Sequence, residues 1–294
     1  MKITVLGSGT SHGVPVVGCS CEVCTSDDPG DKRMRASVYI EGSGGERVTI
    51  DAGPEFRLQA VKAGITRLDA IFLTHSHADH IHGLDDVRPL SRKAPLPVYG
   101  NEASINEMIE RFSYVFETAP EKTQRGGGKP RLMPQVVKGP VHIGRLVFTP
   151  VPVKHGILDI LGWEVREQES ASPEAGVSSG VKSFLYLTDT SAIPPSSLEL
   201  LKNQYLGVSR QSRVIIIGGL RERPHETHFS FEEALTAASD IGAKCIYLTH
   251  ICHDHSHVEI EEFCRNFMEN RRTLVREPGE TEIHPAQDGL EITL

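Results

Sequence analysis

No stretch of this chain approaches the length of apolar sequence that crosses a bilayer, so no membrane partner is expected. The apolar opening Ile3-Thr4-Val5-Leu6 is too short for a secretory signal, and the expected compartment is the cytoplasm. A basic surplus is missing as well: Lys and Arg number 31 against 39 Asp and Glu, a formal charge of −8. Surfaces that hold nucleic acid nonspecifically are normally basic, which disfavours nucleic acid as a partner. No internal repeat stands out. The run Gly7-Ser8-Gly9 lacks the third glycine of a dinucleotide fingerprint, because His12 occupies that position. Nor does a thioredoxin-like context surround the cysteines, which weakens a redox reading of their clustering.

What is present is ordinary globular composition, 38% hydrophobic and 24% charged over 294 residues, enough for a sizeable core. Within it lies His75-Ser76-His77-Ala78-Asp79-His80, an H-x-H-x-D-H pattern directly after the apolar run Asp69 to Thr74. Imidazoles and a carboxylate packed this densely are costly to bury without a partner, and both are the usual ligands of divalent transition metals. At a strand end, His75 and His77 can converge on one ion while Asp79 and His80 turn toward a second.

Three further residues stand in matching contexts. His155 follows Leu146 to Val153, Asp189 ends Phe184 to Thr188, and His250 ends Cys245 to Thr249. Each run reads as a short buried strand finishing in a potential ligand. Together with the first motif they complete two coordination spheres.

The cysteines fall into unlike groups. Cys19, Cys21 and Cys24 form C-x-C-x-x-C, whereas Cys245, Cys252 and Cys264 are scattered and read as buried small hydrophobes. In a reducing compartment the cluster points to zinc. Three thiolates leave one tetrahedral corner open. His253 is the preferred fourth ligand, with His255 and His257 as rivals.

Patterning predicts strands at Lys2 to Leu6, Ser37 to Ile40 and Val48 to Ile50. Helices are predicted at Phe56 to Ala63, Asp79 to Leu90, Glu102 to Phe116, Leu198 to Tyr205 and Val258 to Asn270. A further helix, capped by Ser230-Phe231-Glu232-Glu233, is predicted to run to Asp240. The stretches 117–138 and 168–182 read as polar loop excursions. Strand-rich halves followed by helices suggest two sheets packed face to face between helical layers.

With these motifs placed, the chain resembles the metallo-β-lactamase superfamily, and within it the phosphoribosyl 1,2-cyclic phosphate phosphodiesterase group. The matching stretches are Gly7 to Pro15, Cys19 to Cys24, Leu73 to Gly83, Ser183 to Ser191 and Tyr247 to His253. The resemblance implies an α/β fold of αββα sandwich type, one hydrolase domain over 1–294. It implies that His75, His77 and His155 hold one ion, that Asp79, His80 and His250 hold another, and that Asp189 bridges both. It also implies a structural zinc on Cys19, Cys21, Cys24 and His253. His228 would be a substrate-binding, proton-donating histidine, and with Asp79 it makes up the catalytic pair.

The expected activity is a metal-dependent phosphodiesterase that hydrolyses a small anionic phosphate ester, cyclic esters included, through a hydroxide held between two metals. Mn, Zn and Fe all suit such ligands. The nearest alternative is an RNA-processing endonuclease of the same superfamily, supported by Lys122, Arg125, Lys129, Arg131 and Lys138. Hydrolysis of a β-lactam or thioester ranks third. From another class comes a non-hydrolytic binding protein of a coenzyme pathway, although such relatives lack the full ligand set present here. A homodimer is left open.

Overall fold

The computed structural model of the protein describes residues 1–116, 128–168, 182–203, 212–272 and 281–294. Strands β1 (Lys2–Gly7), β2 (Ser37–Glu41), β3 (Arg47–Ile50), β4 (Ala70–Phe72), β5 (Leu96–Gly100) and β6 (Leu132–Val136) build the first sheet. The second sheet takes β7 (Val141–Ile143), β8 (Leu146–His155), β9 (Leu158–Glu167), β10 (Ser183–Leu187), β11 (Arg213–Gly218), β12 (Cys245–Thr249) and β13 (Glu282–Pro285). Strand β14 (Glu291–Thr293) returns to the first sheet beside β1, giving two sheets of seven. Both are mixed: β3 to β6 run parallel, as do β10 to β13, while β1–β2 and β7–β10 pair antiparallel.

Strand alternation explains the layering. In β10, Phe184 and Tyr186 face the space between the sheets, while Leu185 and Leu187 face outward; β11 divides Val214 and Ile216 from Ile215 and Ile217 in the same way. Strands apolar on both faces must be covered on both. Between the sheets Phe72 stacks on Phe148 at 3.9 Å and meets Trp163 edge-on at 4.8 Å. Each such buried side chain contributes about 1.5–3 kcal/mol.

The outer faces are covered by helices. In chain order these are α1 (Glu22–Thr25), α2 (Phe56–Lys62), α3 (Ala78–Ile81), α4 (Glu102–Arg111), α5 (Ser113–Phe116), α6 (Pro195–Asn203), α7 (Phe231–Ile241) and α8 (His257–Arg272). Ile105 and Met108 of α4 join the outer core of the first sheet, and Leu235 of α7 with Ile260 of α8 that of the second. The arrangement is the expected αββα sandwich. No described helix is long and apolar enough to cross a membrane.

Several boundaries differ from the sequence expectation. The helix predicted from Asp79 to Leu90 is cut to α3 and a separate 3-10 turn, Leu84–Val87. Gly83 lies between them, held by its N–H to the Ala52 carbonyl at 2.8 Å, and a Cβ there would come within 2.0 Å of the Gly53 oxygen. The helix predicted from Glu102 to Phe116 breaks at Phe112. The excursion near 117–138 is not wholly loop: β6 extends the sheet in parallel beside β5 from Leu132 to Val136. Its alternation is weak because it is a sheet edge that carries Pro134. Lys122 and Arg125, and nearly all of 168–182, lie outside the described residues.

Candidate metal centre

All the candidate ligands sit where strands end. His75, His77, Asp79 and His80 follow β4; His155 closes β8; Asp189 and His250 lie just past β10 and β12. Parallel strands bring those ends to one edge of the sandwich, which is where the sequence motifs meet.

His75, His77 and His155 face one another, with ring centroids 4.6, 5.3 and 5.1 Å apart. Asp79, His80, Asp189 and His250 form a second group with potential ligand atoms within 4.8 Å of one another. Asp189 joins the halves, because it also groups with His155 and His228.

Protonation chemistry shows what these groups require. The His80 Nδ1 lies 2.7 Å from Asp51 Oδ2, a carboxylate oxygen, so Nδ1 carries the hydrogen and donates. A neutral His80 then turns the Nε2 lone pair toward Asp79 Oδ2 at 3.1 Å and Asp189 Oδ2 at 3.2 Å. A lone pair facing two carboxylates is repulsive unless a proton or a metal ion stands between them. His250 Nε2 has the same difficulty, 3.1 Å from Asp189 Oδ1 and 3.6 Å from Asp79 Oδ2. Nε2 of His75, His80 and His250 are all buried without a hydrogen-bond partner. Tetrahedral coordination by nitrogen and oxygen at about 2.0–2.2 Å puts neighbouring ligand atoms about 3.3–3.5 Å apart. The donor set fits a divalent metal.

Electrostatics agree. Burial works against charge on His80, yet Asp79, Asp189 and Asp51 push its pKa well above the ordinary histidine range. Burial would raise the Asp189 carboxyl, but His250 and His80 hold it well below its usual value. Asp79 is likewise pulled down, against burial, by His80 and His250. Each group asks for positive charge. Burial, and then the His80 charge, keep His75 neutral; burial and His155 do the same for His77.

Supporting residues fix the ring orientations. Asp51 also accepts from the Thr74 N–H at 2.8 Å and the Thr74 hydroxyl at 2.7 Å. The Thr227 carbonyl accepts from His155 Nδ1 at 2.7 Å, which leaves Nε2 of His155 as the free ligand atom. The Thr188 hydroxyl donates to Asp189 Oδ2 at 2.7 Å. Such outer partners set tautomer and basicity of metal ligands. Sequence reading missed Asp51 and Thr227. Asp51 carried the same signal as Asp189 and His250, a polar residue ending a buried run, here Val48 to Ile50. Thr227 acts through its backbone, which no residue pattern reveals.

His228 lies above the centre, its ring 4.7 Å from His155 and 4.9 Å from His250. Burial, and then the His250 charge, bring its pKa down to about 3. Its Nδ1 is buried, without a hydrogen-bond partner, 3.8 Å from Asp189 Oδ1.

Away from this centre, Sγ of Cys19, Cys21 and Cys24 each lie 3.4 Å from Nδ1 of His253. A tetrahedral zinc with Zn–S of about 2.3 Å and Zn–N of about 2.0 Å predicts an S···N edge of about 3.5 Å. Among the three candidate histidines, His253 is the one grouped with the thiols; neither His255 nor His257 belongs to that group. The Cys24 N–H and then His253 lower the Cys21 thiol to about 6, the direction a ligand needs. Arg33, fully buried, ties the cysteine segment to the histidine loop through the carbonyls of Cys252 at 2.6 Å and His255 at 3.1 Å.

A profile of the beta-lactamase superfamily domain matches residues 46–251, the span that carries the whole candidate centre. The chain belongs to the metallo-β-lactamase superfamily. More particularly, it is similar throughout to the crystal structure of a new diphosphatase from the PhnP family. That likeness is 35% identity and a TM-score of 0.77, covering 100% of this chain and 97% of that one. Zinc-bound PqqB from Methylobacterium extorquens shares the fold at 16% identity, with a TM-score of 0.73 and 100% of both chains covered. Among curated proteins, the octanoyltransferase of Porphyromonas gingivalis is 37% identical over 267 residues, 88% of this chain and 48% of that protein. Coenzyme PQQ synthesis protein B of Bradyrhizobium diazoefficiens is 32% identical over 138 residues, 42% of this chain and 43% of that one. The chain thus spans about half the length, or less, of these curated relatives. The superfamily resemblance read from the motifs is borne out, and the PhnP-family neighbour is consistent with the phosphodiesterase group.

Proposed function

We propose that the protein is a metal-dependent phosphodiesterase acting on a small phosphate ester. The observation that carries this reading is the His80 Nε2 lone pair, fixed by Asp51 and aimed between Asp79 and Asp189, which calls for a cation. His75, His77 and His155 would hold one divalent ion; Asp79, His80 and His250 the other; Asp189 both. Zn, Mn and Fe suit these ligands. Such a pair supplies Lewis-acid stabilisation of phosphoryl charge and water of lowered pKa.

The chain's own residues then have distinct tasks. Asp51 and the Thr227 carbonyl hold His80 and His155 in their ligand tautomers. His228, which burial holds toward its neutral form and whose Nδ1 is buried without a partner, can offer an N–H to a phosphoryl oxygen. The proton-donating role expected from the sequence is the rival assignment, and leaving-group dependence separates the two. Cys19, Cys21, Cys24 and His253 would hold a structural zinc.

The diphosphatase neighbour supports phosphorus as the electrophile. Acyl chemistry is the second reading, favoured by the octanoyltransferase match, although the chain spans 48% of that protein. A binding role like that of a coenzyme-synthesis protein is disfavoured by the complete donor set. Comparing bis(p-nitrophenyl) phosphate, a cyclic phosphodiester, pre-tRNA, an octanoyl thioester and a β-lactam on metal-loaded protein tests the choice. Turnover of the small phosphodiesters is expected; turnover of the thioester alone would transfer the reading to acyl hydrolysis.

A further inference from the structure

His225 is not a candidate ligand, yet it extends the line of imidazoles outward from the centre. Its ring lies 5.2 Å from that of His228, which in turn lies 4.7 Å from His155. His225 is exposed at the mouth, whereas the His228 side chain is only 14% exposed.

One residue fixes both ends of this line. The Thr227 carbonyl accepts from His155 Nδ1 at 2.7 Å. The Thr227 N–H, which can only donate, points at His225 Nδ1 at 3.3 Å, and the Thr227 hydroxyl lies 3.2 Å from the same nitrogen. Nδ1 of His225 is therefore the acceptor, and Nε2 is the nitrogen that bears hydrogen. Thr227 is itself confined by the Gly156 turn, where a Cβ would come within 2.9 Å of its methyl group. The His225 ring is thus held in a fixed tautomer at a fixed distance from the reacting group.

The two arginines nearby turn toward one carboxylate. Arg223 binds Asp254 at 3.0 Å and Arg221 lies 4.0 Å from the same carboxylate. The ring next to His228 is that of His225, an N–H donor at Nε2 suited to a hydroxyl.

We propose that His225 is a specificity residue that donates a hydrogen bond from Nε2 to a hydroxyl on the alcohol part of the ester. The inference rests on the phosphoester reading above: with the phosphoryl group against the centre and His228, a donor about 5 Å further out meets the adjoining carbons. Polyol esters are favoured over plain alkyl or aryl ones.

The matched pair glycerol 1,2-cyclic phosphate and propane-1,2-diol cyclic phosphate differs by a single hydroxyl. Wild type should prefer the glycerol ester about fivefold in kcat/KM, the worth of one net hydrogen bond. His225→Ala should bring that ratio close to one, chiefly through KM. His225→Gln, which restores an N–H near the position of Nε2, should recover part of it. Calorimetry with glycerol 1-phosphate and 1-propyl phosphate should show the same loss of discrimination. Turnover of both esters with the ratio unchanged in His225→Ala would overturn the His225 assignment alone. No turnover of either ester, nor of bis(p-nitrophenyl) phosphate, by wild type would overturn the phosphoester reading and this inference with it.

Discussion

Asp51, Asp189 and His250 adopt φ angles of 63°, 55° and 57°, in the left-handed region that non-glycine residues rarely occupy. Among the described residues no other non-glycine position does so. Asp51 and His250 directly follow the last residue of a strand and Asp189 comes two residues after one, so the turn swings each side chain across the strand ends into the centre. Holding such a geometry costs on the order of 1–3 kcal/mol per residue and persists at functional sites. Asp189 and His250 were legible from their place after buried runs; the strain that aims them was not, since φ leaves no mark on residue type. Asp51→Ala should leave His80 free to rotate and reduce active-site metal affinity or activity about 10–100-fold. Metal titration of the folded variant checks this, and wild-type affinity would remove Asp51 from its positioning role. His228→Ala should retain both ions and lower kcat on the order of 10²-fold, equally for esters with good and poor leaving groups. A loss confined to poor leaving groups would favour the proton-donor role expected from the sequence.

At the scale of elements, the segment from Cys19 to Arg33 has little regular structure, only α1 and one 3-10 turn. It is held to the loop after β12 by Arg33 and by the cysteine–histidine cluster. The cluster was readable from C-x-C-x-x-C spacing. Arg33 was not, because a buried arginine that binds carbonyls looks in sequence like any surface cation. Cys24→Ser should remove one zinc per chain and lower the melting temperature, since the binding energy of a structural zinc adds to folding. Unchanged zinc and unchanged melting would sink the structural site. Near the other end, Asp288 in the β13–β14 connection accepts from the Ser8 N–H and hydroxyl, each at 2.9 Å, and from the Met34 N–H at 2.8 Å. Burial pushes its carboxyl up to about 6. A carboxyl with a raised folded pKa stabilises below its unfolded value of about 3.9, and that contribution fades as pH climbs through the folded value. The stability lost in Asp288→Asn should therefore be larger at pH 5 than at pH 7.5. Denaturant midpoints at both pH values measure it, and an equal loss at both would contradict the assignment.

Over the whole molecule, the αββα layering was foreseeable because runs such as Phe184 to Leu187 and Val214 to Ile217 are apolar at every position and need cover on both faces. Sheet order was not foreseeable: β14 closes the first sheet beside β1 from the far end of the chain, a pairing that no local pattern encodes. Nor was β6, whose pattern is blurred by its place at an edge. The fold gathers residues from His75 to His250 at one edge of an acidic molecule of net charge −8, so a pair of dications would make that edge the attractive place for an anionic ester. The central claim is that Asp189 joins two metal positions that act on phosphodiesters. Its most direct test is metal content by mass spectrometry, together with turnover of bis(p-nitrophenyl) phosphate, on wild type and Asp189→Ala prepared side by side. Wild type should carry two ions beyond the cysteine-bound zinc and turn the ester over. Asp189→Ala should keep the zinc, lose one or both of the other ions, and fall to background; a folded Asp189→Ala protein with full metal content and wild-type turnover would contradict it.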